Sequence, residues 1–189
     1  VNWSNDGETL SNFKGSNIRN RSYHFKEGIT WSTTSGSAFA GRKSPTGYLF
    51  DSKGCMAFSY GGISLEKLLA QMNAVTFNSF LDIITPTLDF NPGPVGNVPI
   101  EEVNNNVSEE LVIENISASK DDWDSFENSW DFKKHPLLRN ISTISEAFAQ
   151  WQAECDDRFN KLKANEEELN HIFIDIYGLQ DELTPEVED

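Results

Sequence analysis

Apolar positions recur along this chain at two different periods, and the change of period divides it. Between residues 28 and 60, short β-prone runs alternate with turn residues. Ile29-Thr-Trp31 reads as a strand and residues 38–42 as a short extended piece. Tyr48-Leu-Phe50 reads as a strand paired with Cys55-Met-Ala-Phe58 across the tight turn Asp51-Ser-Lys-Gly54, with Tyr48, Phe50 and Phe58 as hairpin core. Ser44-Pro-Thr-Gly47 is a turn, and a further strand is expected at residues 22–25 within an otherwise polar opening. Gly61-Gly62 break the sheet.

From Ser64, an N-cap, the period becomes helical. Leu65, Leu68, Leu69, Met72, Val75 and Phe77 share one face, and the pattern continues to Ile84 as one helix or a broken pair. Pro86 stops it, because a proline disfavours helical geometry in the residue before it. Pro92, Pro94 and Pro99, with Gly93 and Gly96, predict a stiff irregular path. Residues 109–116 fit either a short helix or a last strand. Trp123, Phe126 and Trp130 would form one aromatic stripe if residues 120–130 are helical. Thr143 with Glu146 forms a capping box ahead of Phe148, Trp151, Cys155, Phe159 and Leu162. Leu169, Ile172, Phe173, Ile176 and Tyr177 extend that seam to a glycine cap at Gly178. A second capping box at Asn165 and Glu168 leaves two readings of residues 143–177, one long helix or two hinged near Asn165.

The fold class that follows is α+β: a small β-rich half with packed helices over residues 1–100, then a mostly helical half over residues 101–189, with the boundary at residues 101–106. Charge sharpens the division. The 189 residues carry a net charge of −15. Residues 1–100 hold eight Lys/Arg against seven Asp/Glu, and residues 101–189 hold the other seven bases and 23 acids. The first half is thus near neutral and the second strongly negative, so only the first is suited to a polyanion.

Chemistry narrows the picture mainly by what is missing. There is no Gly-x-Ser-x-Gly elbow, no Gly-x-Gly-x-x-Gly turn and no His/Cys spacing suited to a metal. Asn91-Pro92-Gly93-Pro94 lacks the adjacent prolines and following aromatic of a base-gripping loop and reads as a turn. Cys55 and Cys155 read as unpaired thiols, and His24, His135 and His171 are isolated. No apolar run approaches the ~20 residues that span a bilayer, and no signal segment opens the chain, so a cytoplasmic protein without membrane contact is expected. Val1 in place of Met, and an acidic tail, read as a segment of something longer. No catalytic, cofactor-binding or metal-ligating residue is assigned.

Recognition chemistry is present. Trp31-Ser-Thr-Thr-Ser-Gly-Ser37 offers one large ring and several hydroxyls, with Arg42-Lys43 one short strand later. Arginine forms two-pronged bonds to guanine edges, hydroxyls bond bases or phosphates, and lysine supplies phosphate charge. Trp31, Ser35, Ser37, Arg42 and Lys43 are the candidate DNA contacts, with Arg19, Arg21 and Lys26 on phosphates. Trp31 has two roles open to it, base stacking and core packing.

Three elements in order carry a resemblance. They are Gly28-Ile-Thr-Trp-Ser32 with Pro45-Thr-Gly-Tyr-Leu-Phe-Asp51, Thr85-Pro-Thr-Leu-Asp-Phe90 with Val95-Gly-Asn-Val-Pro-Ile100, and Leu169-Asn-His-Ile-Phe-Ile-Asp-Ile-Tyr-Gly-Leu179. Together they resemble the C-terminal target-recognition region of the BREX-type adenine-specific DNA methyltransferases, the PglX family. Related enzymes carry Asn-Pro-Thr where this chain has Thr85-Pro-Thr, and an acidic residue at Pro94-Val95. The resemblance implies a parent enzyme that methylates adenine with S-adenosylmethionine in phage defence, its catalytic and cofactor motifs lying outside this chain. It implies double-stranded DNA as partner through that parent. The alternative is an acidic helical module that docks other phage-defence proteins.

Overall fold

The computed structural model describes residues 2–101 and 107–188. Most of the boundary expected at residues 101–106 therefore lies outside the described residues. The chain opens with α1 (Ser4–Ser11), which begins on a left-handed turn at Asn5, Asp6 and Gly7. A single 3-10 turn at Arg21–Tyr23 stands where a strand was expected. Three strands follow, β1 (Gly28–Ser32), β2 (Arg42–Ser44) and β3 (Gly54–Ala57), in the antiparallel order β2-β1-β3.

Register explains the sheet's two faces. Ile29 sits opposite Lys43 and Ala57, and Trp31 opposite Cys55. Paired residues share a face, so Ile29, Trp31 and Cys55 all turn into the core, where each is buried. Thr30, paired with Arg42 and Met56, and Ser32, paired with Gly54, take the other face. Gly28 admits no side chain there, since a Cβ would meet the Ala57 carbonyl at 2.6 Å.

The expected hairpin strand at residues 48–50 does not form. Phe25, at a left-handed φ of 63°, donates its N–H to the Tyr48 carbonyl and accepts that of Gly47. Those bonds hold the segment against the N-terminal layer instead of a ladder, and Tyr48 is half exposed rather than core. The Asp51–Gly54 turn forms as expected, with Asp51 Oδ1 accepting the N–H of Lys53 and of Gly54, both at 2.8 Å.

The helical pattern after Ser64 becomes α2 (Leu65–Asn73) and α3 (Val75–Ile84), broken where Ala74 is extended (φ −67°, ψ 151°). Ser64 caps α2 by accepting the Lys67 N–H at 3.3 Å. α4 (Pro92–Gly96) gives the proline-rich segment a short helix, with proline where its missing N–H costs nothing. α5 (Glu109–Asp124) settles residues 109–116 as helix. It ends before Phe126 and Trp130, so these two do not continue Trp123's helical stripe. α6 (Ile144–Tyr177) is one continuous helix of 34 residues, about 51 Å long. Thr143 accepts the Glu146 N–H at its start and Gly178 (φ 68°) closes it.

One core packs the sheet on α2 and α3 through Ile29, Trp31, Phe39, Leu69, Phe77 and Leu81. A second joins Ala70 and Ala74 to Val107, Val112, Leu169 and Phe173, so the acidic helices brace the first half through apolar contact. Polar links reinforce this. Asn170 Oδ1 accepts the Val75 N–H (2.9 Å), Gln71 Nε2 donates to the Tyr177 hydroxyl (2.6 Å), and that hydroxyl donates to the Pro99 carbonyl (2.7 Å). Cys55 and Cys155 are free thiols. No described helix is long and apolar enough to cross a membrane.

Candidate nucleic-acid interface

Strand alternation sorts the eight candidate contacts. Trp31 is withdrawn from them. Its ring is 4% exposed, its indole Nε1–H donates to the Phe90 carbonyl at 2.8 Å, and it packs on Phe39 at 5.7 Å between ring centres. No face is open to stack on a base. Arg42 and Lys43, adjacent in sequence, point to opposite sides of the sheet. Lys43 shares the inner face, and its Nζ lies 2.6 Å from Glu66 Oε1 on α2. That bond holds the Glu66 carboxyl below its ordinary range. Lys43 is therefore spoken for.

Arg42 remains outward. It is exposed, and its guanidinium makes one long hydrogen bond among the described residues, 3.3 Å to Ser32 Oγ. The loop beyond Ser32 is held at both flanks. Thr33 donates its N–H to Lys53 and accepts that of Phe90, while Ser35 donates to Leu88. Thr34 pairs with Asp89 and donates its hydroxyl to that carboxylate at 2.7 Å. The Ser35 and Ser37 hydroxyls, 3.0 Å apart, are thereby presented on a fixed backbone.

Lys53 belongs with this group, though sequence reasoning passed over it. Pairing of Ser32 with Gly54, and the Thr33 N–H to Lys53 carbonyl bond, seat it beside the loop. It is exposed and makes no salt bridge among the described residues. Asp51 beneath it is satisfied by the Gly54 and Lys53 amides, which lower its pKa. The signal available in the sequence was the turn itself, which must expose its central residues.

The N-terminal bases divide too. Arg21 is engaged, bonding the Asp6 carbonyl and the Ser11 hydroxyl, lying 3.5 Å from the Asp6 carboxylate and stacking over Trp3 at 5.8 Å. It fastens α1 rather than projecting. Arg19 bonds Asn17 at 3.1 Å and Lys26 lies over the Tyr23 ring at 5.3 Å; both are exposed. The surface near them adds two exposed rings, Tyr23, which sequence reasoning did not assign, and Tyr48, which it placed in the hairpin core.

The described residues hold no group of three or more His, Cys, Asp or Glu suited to a metal. Gly61 and Gly62, on the turn into α2, face open space.

No protein-family profile matches the chain. It is 50% identical over 202 aligned residues, all of its own length, to "Adenine-specific methyltransferase PglX" of Lacticaseibacillus casei (strain Zhang). It is 34% identical over 186 residues, 97% of its length, to "Adenine-specific methyltransferase BrxX" of Escherichia coli O9:H4 (strain HS). The chain is therefore homologous to a segment of these methyltransferases, spanning 17% and 15% of their lengths.

Proposed function

We propose that this chain is the target-recognition segment of an adenine-specific DNA methyltransferase of the BREX phage-defence type. Its share of the work is to select the site on duplex DNA. Base extrusion, methyl transfer and the S-adenosylmethionine site fall to other parts of the longer enzyme. The observation that carries the reading is the outward group of Arg42, Ser32, Ser35, Ser37 and Lys53. It is a hydrogen-bonded loop and strand edge on the near-neutral half of the molecule, where Arg42 and Lys53 have no ion-pair partner among the described residues. Arg42 is suited to a guanine edge or a phosphate, the hydroxyls to either, and Lys53, Arg19 and Lys26 to phosphates.

The test is Arg42→Glu with Lys53→Glu in the methyltransferase that carries this segment. Expected are weaker duplex binding, a salt dependence shallower by about 0.9 in log–log slope for each phosphate no longer neutralised, and reduced methylation at the native site. Unchanged affinity and methylation would remove this face from the interface.

A second reading, docking of another defence protein on the acidic helices, draws on Trp130 (95% exposed), Trp123 and Phe126. These are apolar anchors in a surface that repels DNA. It predicts that Trp130→Ala leaves DNA affinity intact.

A further inference from the structure

Behind the sheet edge lies a cavity of about 540 Å³, bounded by β2, α2, α5 and α6. That volume falls in the range of small-molecule sites. Its floor is apolar and built from both cores, including Phe39, Leu69, Ala74, Val112 and Leu169, all buried. Trp123, 59% exposed, stands at the wall as a flat ring open to contact.

The polar groups lining it are nearly all committed. Lys43 is paired with Glu66 at 2.6 Å, and Lys120 with Asp124 at 2.5 Å and Asp131 at 2.6 Å. Asn73 exchanges two bonds with the Gly41 backbone, at 2.7 and 3.0 Å. Asn115 Oδ1 accepts from Asn165 at 2.8 Å. Arg42 sits on the exposed strand edge. The exposed rim hydroxyl of Ser119 and the carboxyl of Glu166 are the exceptions, and only Glu166 carries charge into the cavity. Its half-buried carboxyl has no hydrogen-bond or ion-pair partner among the described residues, and burial pushes its pKa up. A carboxylate drawn from water without a counter-charge is costly, and a cation delivered to it recovers that cost.

We propose that this cavity binds a small organic cation, an amine or amidine on an apolar body, with the Glu166 carboxylate as its counter-ion. The body lies on the apolar floor and against Trp123, where a cation-bearing ring gains from the indole face. The Asn115 side-chain amide, its oxygen already taken, keeps N–H groups to orient a ligand acceptor. Anions are disfavoured, because two of the three lining cations are already neutralised and the surrounding half carries 23 acids against seven bases. Arg42 lies at the border of this cavity and of the proposed DNA face, but the inference rests on Glu166, Trp123 and the apolar floor and stands or falls without the DNA reading.

The probe is benzamidine, titrated into the isotope-labelled chain and followed by amide chemical shifts, with benzoate as the anion of matching shape. Saturable shifts at Asn115, Glu166 and Leu169 are expected with benzamidine and not with benzoate. Glu166→Gln, which keeps shape and removes charge, weakens benzamidine about tenfold or more. Ser119→Trp, on the exposed rim, blocks entry and abolishes the shifts without touching the core. Benzoate binding as well as benzamidine, undiminished binding by folded Glu166→Gln, persistent shifts in Ser119→Trp, or no saturable benzamidine shift each overturns the proposal.

Discussion

Replacing Trp31 by Phe separates the core role of this residue from a role on DNA. The substitution deletes the indole N–H, whose 2.8 Å bond satisfies the Phe90 carbonyl within a buried cluster. Leaving that acceptor unpaired costs about 1–3 kcal/mol. The smaller ring also leaves space beside Phe39 and Phe90, worth roughly another 1 kcal/mol because packed neighbours relax only in part. The expected loss is thus about 2–4 kcal/mol. In a chain of this size it lowers the melting midpoint by roughly 2–4 °C per kcal/mol. Urea denaturation followed by far-UV circular dichroism measures it free of the altered Trp fluorescence. Trp31→Ala should cost more, about 3–5 kcal/mol. A Trp31→Phe protein that unfolds with the parent's midpoint but no longer binds the duplex would refute the argument, since that is the behaviour of a surface stacking residue.

Two further outcomes follow from buried polar links. The Lys43 ammonium holds the Glu66 carboxyl below its ordinary value of 4.5, so the folded state favours the charged form. The pair's stabilisation is complete above that ordinary value and is lost as pH falls through the lower folded value. Urea midpoints from pH 7 to pH 3 should fall more steeply for the parent than for Glu66→Gln, and parallel curves would show the pair contributes nothing. Asn170→Ala orphans both the Val75 N–H and the Pro185 carbonyl. A loss of about 2–4 kcal/mol and faster amide exchange at Val75 are expected, and an unchanged Val75 exchange rate would contradict the link.

Legibility in the sequence tracked how local the deciding interaction is. The caps of α6 at Thr143 and Gly178 involve residues within a few positions of one another and were legible, whereas the sequence left open one helix or a pair over residues 65–84, and the Val75 N–H at the break is taken by the remote Asn170. The strand expected at residues 48–50 failed for a non-local reason. The backbone of Phe25, more than twenty positions earlier, took the hydrogen bonds a ladder partner would have used. Likewise Phe126 and Trp130 kept helical spacing in sequence, yet the chain turns at Ser125, where backbone N–H groups bond three residues back.

The candidate interface was legible as a composition and not as a geometry. A near-neutral half with hydroxyls and bases was visible beforehand, as was the negative charge of the other half, because both are sums over residues. Which of those residues face outward depends on register. Pairing Thr30 with Arg42 and Ile29 with Lys43 sends two neighbouring bases to opposite faces, and the same alternation buries Trp31. The solitary Glu166 carboxyl is likewise a product of packing, since α2, α5 and the sheet edge meet around it from distant parts of the chain. Local backbone preference and summed charge are properties of the sequence alone. Strand register and the desolvation of a side chain arise only when remote segments come together.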